Sequence, residues 1–92
     1  MIGIAADMRD MVVSAWCLSP EQADAVGKQD PTWARSLSLS LGISSALGES
    51  PEAEERWMAA SRKAFGGRSA RDVLTEENGL AKVEQLFYGE CP

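Results

Sequence analysis

Histidine is absent from the 92 residues of this chain, and cysteine occurs only twice. Without imidazole, the chain lacks a common metal ligand and the base that most serine or cysteine nucleophiles need. Cys17 and Cys91 lie near opposite ends with no CxxC spacing, so we expect two unpaired thiols, Cys17 half-buried and Cys91 in a loose tail. We therefore expect no catalytic residues, no metal site and no cofactor.

Long apolar runs are also missing. No stretch of 18 apolar residues exists, and the N-terminus lacks the basic and unbroken apolar regions of a signal peptide. We expect a cytoplasmic chain with no membrane association. Its net charge of −5 repels phosphate backbones and anionic lipids on average, and favours a partner with a basic face.

What the chain does have is helical periodicity. Its hydrophobic fraction of 45% suffices for one core, and the spacing of apolar residues predicts an all-α fold, a compact bundle of five to six short helices. Residues 1–48 would supply N-terminal helices and residues 49–92 a second helical region, packed as one unit. The alternation of serine and leucine over Ser36 to Leu41 is typical of a strand, but a lone strand among helices has no partner, so helix is favoured.

Serine or aspartate followed by proline marks three helix starts, at Ser19, Asp30 and Ser50. Ser69 can cap a further short helix. The expected buried stripes are Met8, Met11, Val12, Ala15 and Trp16 in the first helix, Trp33, Leu37 and Leu41 in the third, Trp57, Met58, Ser61, Ala64 and Phe65 in the fourth, and Leu80, Val83, Leu86 and Phe87 in the last. The expected stops are Gly27, the pair Gly66-Gly67, and Gly89, and Gly42 is a possible break or kink.

The segment from Ser19 to Leu37 has the skeleton of a degenerate helix-turn-helix, with a small residue, a tight turn and a second helix. Lys28, Thr32 and Arg35 are its candidate DNA contacts. The segment carries two cations against three acids, which is a poor balance for binding phosphates. We therefore favour a packing role here, and keep a stand-alone DNA-binding regulator as the alternative function.

A further pattern runs through the C-terminal half and consists of Trp57-Met58, Ala64 to Ser69, Asp72-Val73-Leu74, Thr75, Gly79-Leu80, Val83, Leu86 and Gly89. In order and spacing, these residues resemble the toxin-binding domain of the Xre/MbcA/ParS antitoxins. The family's Pro-Asn is Ser61-Arg62 here, and its proline after Ser/Thr is Ala70. The resemblance implies an antitoxin that binds a RES-domain toxin, an NAD-consuming enzyme, covers its NAD pocket, dimerises through helical surfaces and, with the toxin, represses its own operon.

Under this interpretation the tail region and the Gly-Gly turn hold the contact residues. Phe87, Tyr88 and the tail through Pro92 are candidates for insertion into the toxin, with Phe87 in the core and only Tyr88 exposed as an equally weighted alternative. Three arginines near the turn can bind partner carboxylates. The full set of expected toxin contacts is Arg62, Gly66, Gly67, Arg68, Arg71, Phe87, Tyr88 and Glu90. A structural or adaptor domain without a toxin partner is a third possibility.

Overall fold

The computed structural model describes residues 3–90, with the side chains of residues 7–89. The expectation of an all-α fold is confirmed, because six α-helices account for most of this described range and the only sheet in it has two strands of two residues. The elements are α1 (Gly3–Trp16), α2 (Pro20–Gln29), α3 (Ala34–Ala46), α4 (Pro51–Ala59), β1 (Ser61–Arg62), a 3-10 helix (Lys63–Phe65), β2 (Arg68–Ser69), α5 (Ala70–Val73) and α6 (Gly79–Glu90).

Serine side chains cap three of these helices, as the sequence predicts. The Ser19 hydroxyl accepts from the Gln22 amide at 3.2 Å while the Ser19 amide donates to the Gln22 side chain at 2.8 Å, which completes a capping box. Ser50 and Ser69 cap α4 and α5 with the serine hydroxyl alone: it accepts from the amide three residues on, and no described side chain returns a hydrogen bond to the serine amide. Satisfying these free amides fixes where the helices begin.

Several predicted helix ends are wrong. Gly27 lies inside α2, which continues to Gln29, and Gly89 lies inside α6, which continues to Glu90. Gly42 does not break α3. The helix passes close to Phe87 at this residue, since a β-carbon there would lie 3.3 Å from the Phe87 ring. A glycine ends a helix where it adopts a left-handed conformation, and Gly27, Gly42 and Gly89 are not among the glycines with positive φ.

The buried face of α3 also differs from the predicted one. Leu41 is 58% exposed and Leu37 only half-buried. The core face consists instead of Ser36, Leu39, Ser40 and Ile43. Two serines can face the core because each meets a buried carboxylate, and this polar pairing cannot be read from apolar periodicity.

Glu54 is the carboxylate that meets Ser40. It is 4% exposed, and its Oε2 accepts hydrogen bonds from Trp16 Nε1 at 2.8 Å and from Ser40 Oγ at 2.6 Å. The three side chains come from α4, α1 and α3, so one buried acceptor ties three helices together. Buried charges are found where hydrogen bonds replace their lost hydration, and Glu54 meets that condition.

Asp30 plays the corresponding role at the start of α3. Its Oδ2 accepts from the Ser36 amide at 2.8 Å and the Ser36 hydroxyl at 2.9 Å. Trp33, the residue before the helix, has a left-handed φ of 63° and is 4% exposed. The helix begins at Ala34, three residues after the predicted start at Pro31, because this turn inserts the indole into the core.

The expected apolar stripe of α4 ends early. The helix stops at Ala59, and Ser61 and Ala64 are exposed rather than buried. Residues 61–69 form a small hairpin in its place, with Ser61 opposite Ser69 and Arg62 opposite Arg68. The expectation of one helix through Phe65 is wrong because extended Ala60 turns the chain out of the helical path.

The start of α6 is joined to α2 and α5 by close contacts. Gln29 donates to the Leu74 carbonyl at 2.8 Å and accepts from the Leu80 amide at 2.7 Å. At Gly79 a β-carbon would lie 2.0 Å from the Val73 carbonyl oxygen, so only glycine fits. These contacts fix the direction in which α6 leaves the end of α5.

One apolar core is shared by the N-terminal and C-terminal halves. Trp16 and Leu39 pack in the same buried cluster as Met58 and Val83. The division of the chain near residue 48 remains an interpretation. Cys17 corrects another expectation, since it is exposed, with a left-handed φ of 52°, at the turn that follows α1. Cys91 lies outside the described residues.

Candidate functional site

The hairpin of residues 61–69 is built around the Gly66-Gly67 turn. Both glycines have positive φ, 68° and 90°, a region that other residues enter only with strain. The Gly66 amide donates to the Lys63 carbonyl at 3.0 Å, and the Gly67 amide to the Arg62 carbonyl at 2.9 Å. The turn amides are therefore used inside the hairpin. Contrary to the expectation from the sequence, the pair does not end α4, because that helix already stops at Ala59.

Arg62 is held against Trp57. Its guanidinium carbon lies 4.2 Å from the indole centroid, and its Nη2 donates to the Trp57 carbonyl at 3.0 Å. Trp57 in turn meets the edge of Phe87, with 5.7 Å between ring centroids. Arg62, which stands where the family pattern has asparagine, thus holds the hairpin against α4, and Trp57 continues the contact to α6.

The two aromatic residues near the end of α6 have different environments. Phe87 is 4% exposed, as the core alternative for it predicted, whereas Tyr88 is 52% exposed and lies 5.2 Å from the Phe87 ring. Only Tyr88 of this pair is accessible to a partner. Glu90 is the last residue of α6, and its side chain, like Cys91 and Pro92, lies outside the described part of the chain.

Arg68 belongs to a small charge network beside the hairpin. Its guanidinium pairs with Glu76, and Lys82 Nζ lies 3.0 Å from the second oxygen of the same carboxylate. The hydrogen bond from Arg68, followed by that from Lys82, lowers the pKa of Glu76. Lys63 is exposed, and its side chain makes no hydrogen bond or ion pair with any described residue. Glu76 therefore pairs with both Arg68 and Lys82, and Lys63 is left without a described carboxylate partner.

A groove of about 350 Å³ lies between the hairpin and α6. It is lined by Ala64, Phe65, Lys82, Gln85 and Leu86. We call this the basic groove, and include with it Lys63, which precedes its first lining residue, and Arg68. Phe65 and Leu86 are half-buried, so we take them as its apolar floor, and Lys82 is the one charged residue among those that line it.

Arg71 lies apart from this groove. Desolvation raises the pKa of the Cys17 thiol, Glu55 raises it further, and the charge of Arg71 opposes them. Arg71 is therefore close enough to the turn after α1 to act on this thiol, and it is not among the residues that line the basic groove. Its Nε atom is buried without a hydrogen-bond partner among the described atoms.

Two of the three candidate DNA contacts lie on a second, larger groove of about 620 Å³ between α2 and the region from Thr75 to Ala81. Lys28 and Arg35 line it, and Arg35 is ion-paired with Glu84. The other charged lining residues are Glu21, Asp24, Glu76 and Glu77. Thr32, which lies between these two cations in the sequence, is exposed and is not one of the residues that line this groove. Carboxylates beside both cations oppose phosphate binding, so DNA recognition here stays a prediction without support from this geometry.

Sequence reasoning missed the basic groove, although its signal is present in the chain. Six of the nine cations fall between Arg56 and Lys82, against three acids in that segment. The overall charge of −5 conceals this segregation. Among the described residues, no group of three or more His, Cys, Asp or Glu side chains is placed to hold a metal ion. No described helix is long and apolar enough to cross a membrane.

Comparison with known families gives one match, and it covers the part of the chain that contains the hairpin, α5 and most of α6. Residues 45–87 match the family model described as the antitoxin Xre/MbcA/ParS C-terminal toxin-binding domain. No curated protein and no solved structure matches the chain at a significant level. The match begins just before the end of α3, so it includes both walls of the basic groove.

Proposed function

Because residues 45–87 belong to the Xre/MbcA/ParS toxin-binding domain family, we propose that the chain is an antitoxin that binds a RES-domain, NAD-consuming toxin and covers its active-site cleft. The family match is the observation that carries this proposal. It supports an antitoxin role directly. The RES-domain identity of the toxin is the further step that we add.

The geometry supports inhibition by a rigid surface. The hairpin is closed by backbone hydrogen bonds, Arg62 fixes it against Trp57, and Gln29 fixes the start of α6. A surface that is ordered before binding loses little conformational entropy on contact. We propose that the end of α6, with the exposed Tyr88 and with Glu90 as its last residue, enters the cleft of the toxin while the hairpin contacts the surface beside it.

Operator binding has a secondary place in this proposal. The cations available for it, Lys28 and Arg35, stand among carboxylates, and Arg35 is already paired. We therefore expect autoregulation to require the complex with the toxin, and we place the stand-alone regulator second. We also expect a cytoplasmic homodimer, for which Met11 and Leu41, 54% and 58% exposed, are candidate contacts, and light scattering would test it.

Co-expression with the product of the neighbouring gene tests the function. We expect the two proteins to co-purify, and growth arrest caused by the neighbour alone to be relieved by this chain. A neighbour that stays toxic and separates from the folded chain during purification would contradict the proposal. Strong operator binding by the chain alone, in the same strain, would favour the DNA-binding alternative.

A further inference from the structure

The basic groove points to a specific kind of partner surface. Its floor is formed by the half-buried side chains of Phe65 and Leu86, next to Ala64. Apolar side chains in a concave site are typical of positions that receive an apolar anchor from a ligand or partner. The volume of about 350 Å³ is at the small end of such sites and suits a short segment rather than a large ligand.

Cations outnumber carboxylates around this floor. Arg68 and Lys82 both pair with one carboxylate, Glu76, and the Lys63 side chain has no described partner. Elsewhere the chain is strongly acidic, with eleven of its fourteen acids outside the segment from Arg56 to Lys82. An acidic protein surface would be repelled by most of this molecule and attracted only here.

From these observations we propose that the basic groove binds a segment of the toxin that presents an apolar side chain flanked by carboxylates. This rests on the proposed antitoxin function and names the partner chemistry of its contact surface. The apolar side chain would fill the space between Phe65 and Leu86, and the carboxylates would pair with Lys63 and with the cations that now share Glu76. The whole groove lies inside the toxin-binding match.

The proposal differs from what the net charge alone suggests. A chain of charge −5 is expected to prefer basic partners. The groove instead selects an acidic segment, and its cations steer that segment to one face of the antitoxin. Charge pairs at the rim of an interface act mainly on the association rate and on its salt dependence, so both quantities should respond to changes at Lys63.

The test measures binding of the purified neighbouring-gene toxin to the full chain at low and high salt. Lys63→Glu and Lys82→Glu should each weaken binding about tenfold at low salt and flatten the salt dependence. Leu86→Ala should weaken it at all salt concentrations, because it removes apolar contact. Lys28→Glu is the matched control, with the same charge change on the other groove, and should alter affinity by less than about twofold. Circular dichroism checks that each variant is folded.

The outcomes separate this inference from the function on which it rests. If the unaltered chain does not bind the toxin, the antitoxin proposal fails and this inference fails with it. If the unaltered chain binds but Lys63→Glu and Lys82→Glu behave like Lys28→Glu, only the groove assignment is overturned. It is also overturned if Lys63→Glu abolishes a low-salt gel shift of duplex DNA while toxin affinity is unchanged, since phosphate would then be the ligand.

Discussion

Replacing Glu54 with alanine should destabilise the whole molecule. The side chain is buried, and its Oε2 is the acceptor for the Trp16 indole at 2.8 Å and the Ser40 hydroxyl at 2.6 Å. Alanine leaves both donors buried without that acceptor. Each unsatisfied donor costs about 1–3 kcal/mol, which gives about 2–6 kcal/mol for the pair.

That loss is large for a domain of this size. A chain of 92 residues has an expected free energy of unfolding of about 5–14 kcal/mol. Each kcal/mol lost lowers Tm by about 4–8 °C in domains of this length. Glu54→Gln keeps an acceptor oxygen in the same place, so its effect should be clearly smaller than that of Glu54→Ala.

Urea unfolding followed by tryptophan fluorescence and by circular dichroism measures the effect. Trp16 and Trp57 lie in different halves of the chain, so the fluorescence signal reports on both halves. If the halves unfold together, the transitions measured by fluorescence and by circular dichroism should coincide. Glu55→Ala is the control on the same helix, since Glu55 is exposed, and should change stability by less than about 0.5 kcal/mol. A Trp16→Phe and Glu54→Ala double-mutant cycle isolates the indole hydrogen bond.

The reasoning is refuted if Glu54→Ala lowers the free energy of unfolding by no more than Glu55→Ala does. A coupling energy near zero in the cycle would refute the indole bond specifically. Two separated transitions in the unaltered chain would refute the shared core.

Three other substitutions test local features. Gly79→Ala should cost about 1–3 kcal/mol because its β-carbon meets a carbonyl of α5, whereas Gly89→Ala, in open space, should be neutral or stabilising; equal Tm values would contradict this. Gln29→Ala should cost about 1–3 kcal/mol by freeing the second amide of α6, and an unchanged Tm would show that water replaces the side chain. The thiol of Cys17, whose pKa is raised, should alkylate slowly at neutral pH and faster in Glu55→Gln, as measured by peptide mass spectrometry; no acceleration would contradict the role of Glu55.

The sequence predicts the helical fold and the starts of α2, α4 and α5 well, because capping by Ser19, Ser50 and Ser69 is a local interaction. It does not predict the buried face of α3. That face depends on the hydrogen bonds of Ser36 to Asp30 and of Ser40 to Glu54. A pattern of apolar residues does not predict such polar pairs.

The hairpin could not be predicted for a similar reason. Its two strands pair across the Gly-Gly turn, and a helical spacing of apolar residues around Phe65 suggested continuation of α4. Of the expected toxin contacts, Arg62 and Arg68 share the hairpin, Tyr88 is accessible and Phe87 is core. The charge of Arg71 acts on the thiol of Cys17, 54 residues away in the sequence, and no local pattern encodes that proximity.

The most direct test of the proposed function is a titration of the proposed toxin, purified as the product of the neighbouring gene, with the purified chain while NAD consumption is followed. At toxin concentrations above the Kd of the complex, the rate should fall linearly and reach zero at a fixed molar ratio that matches the composition of the purified complex. A rate that stays constant in the presence of excess folded chain would contradict the claim that this molecule acts by covering the active site of the toxin.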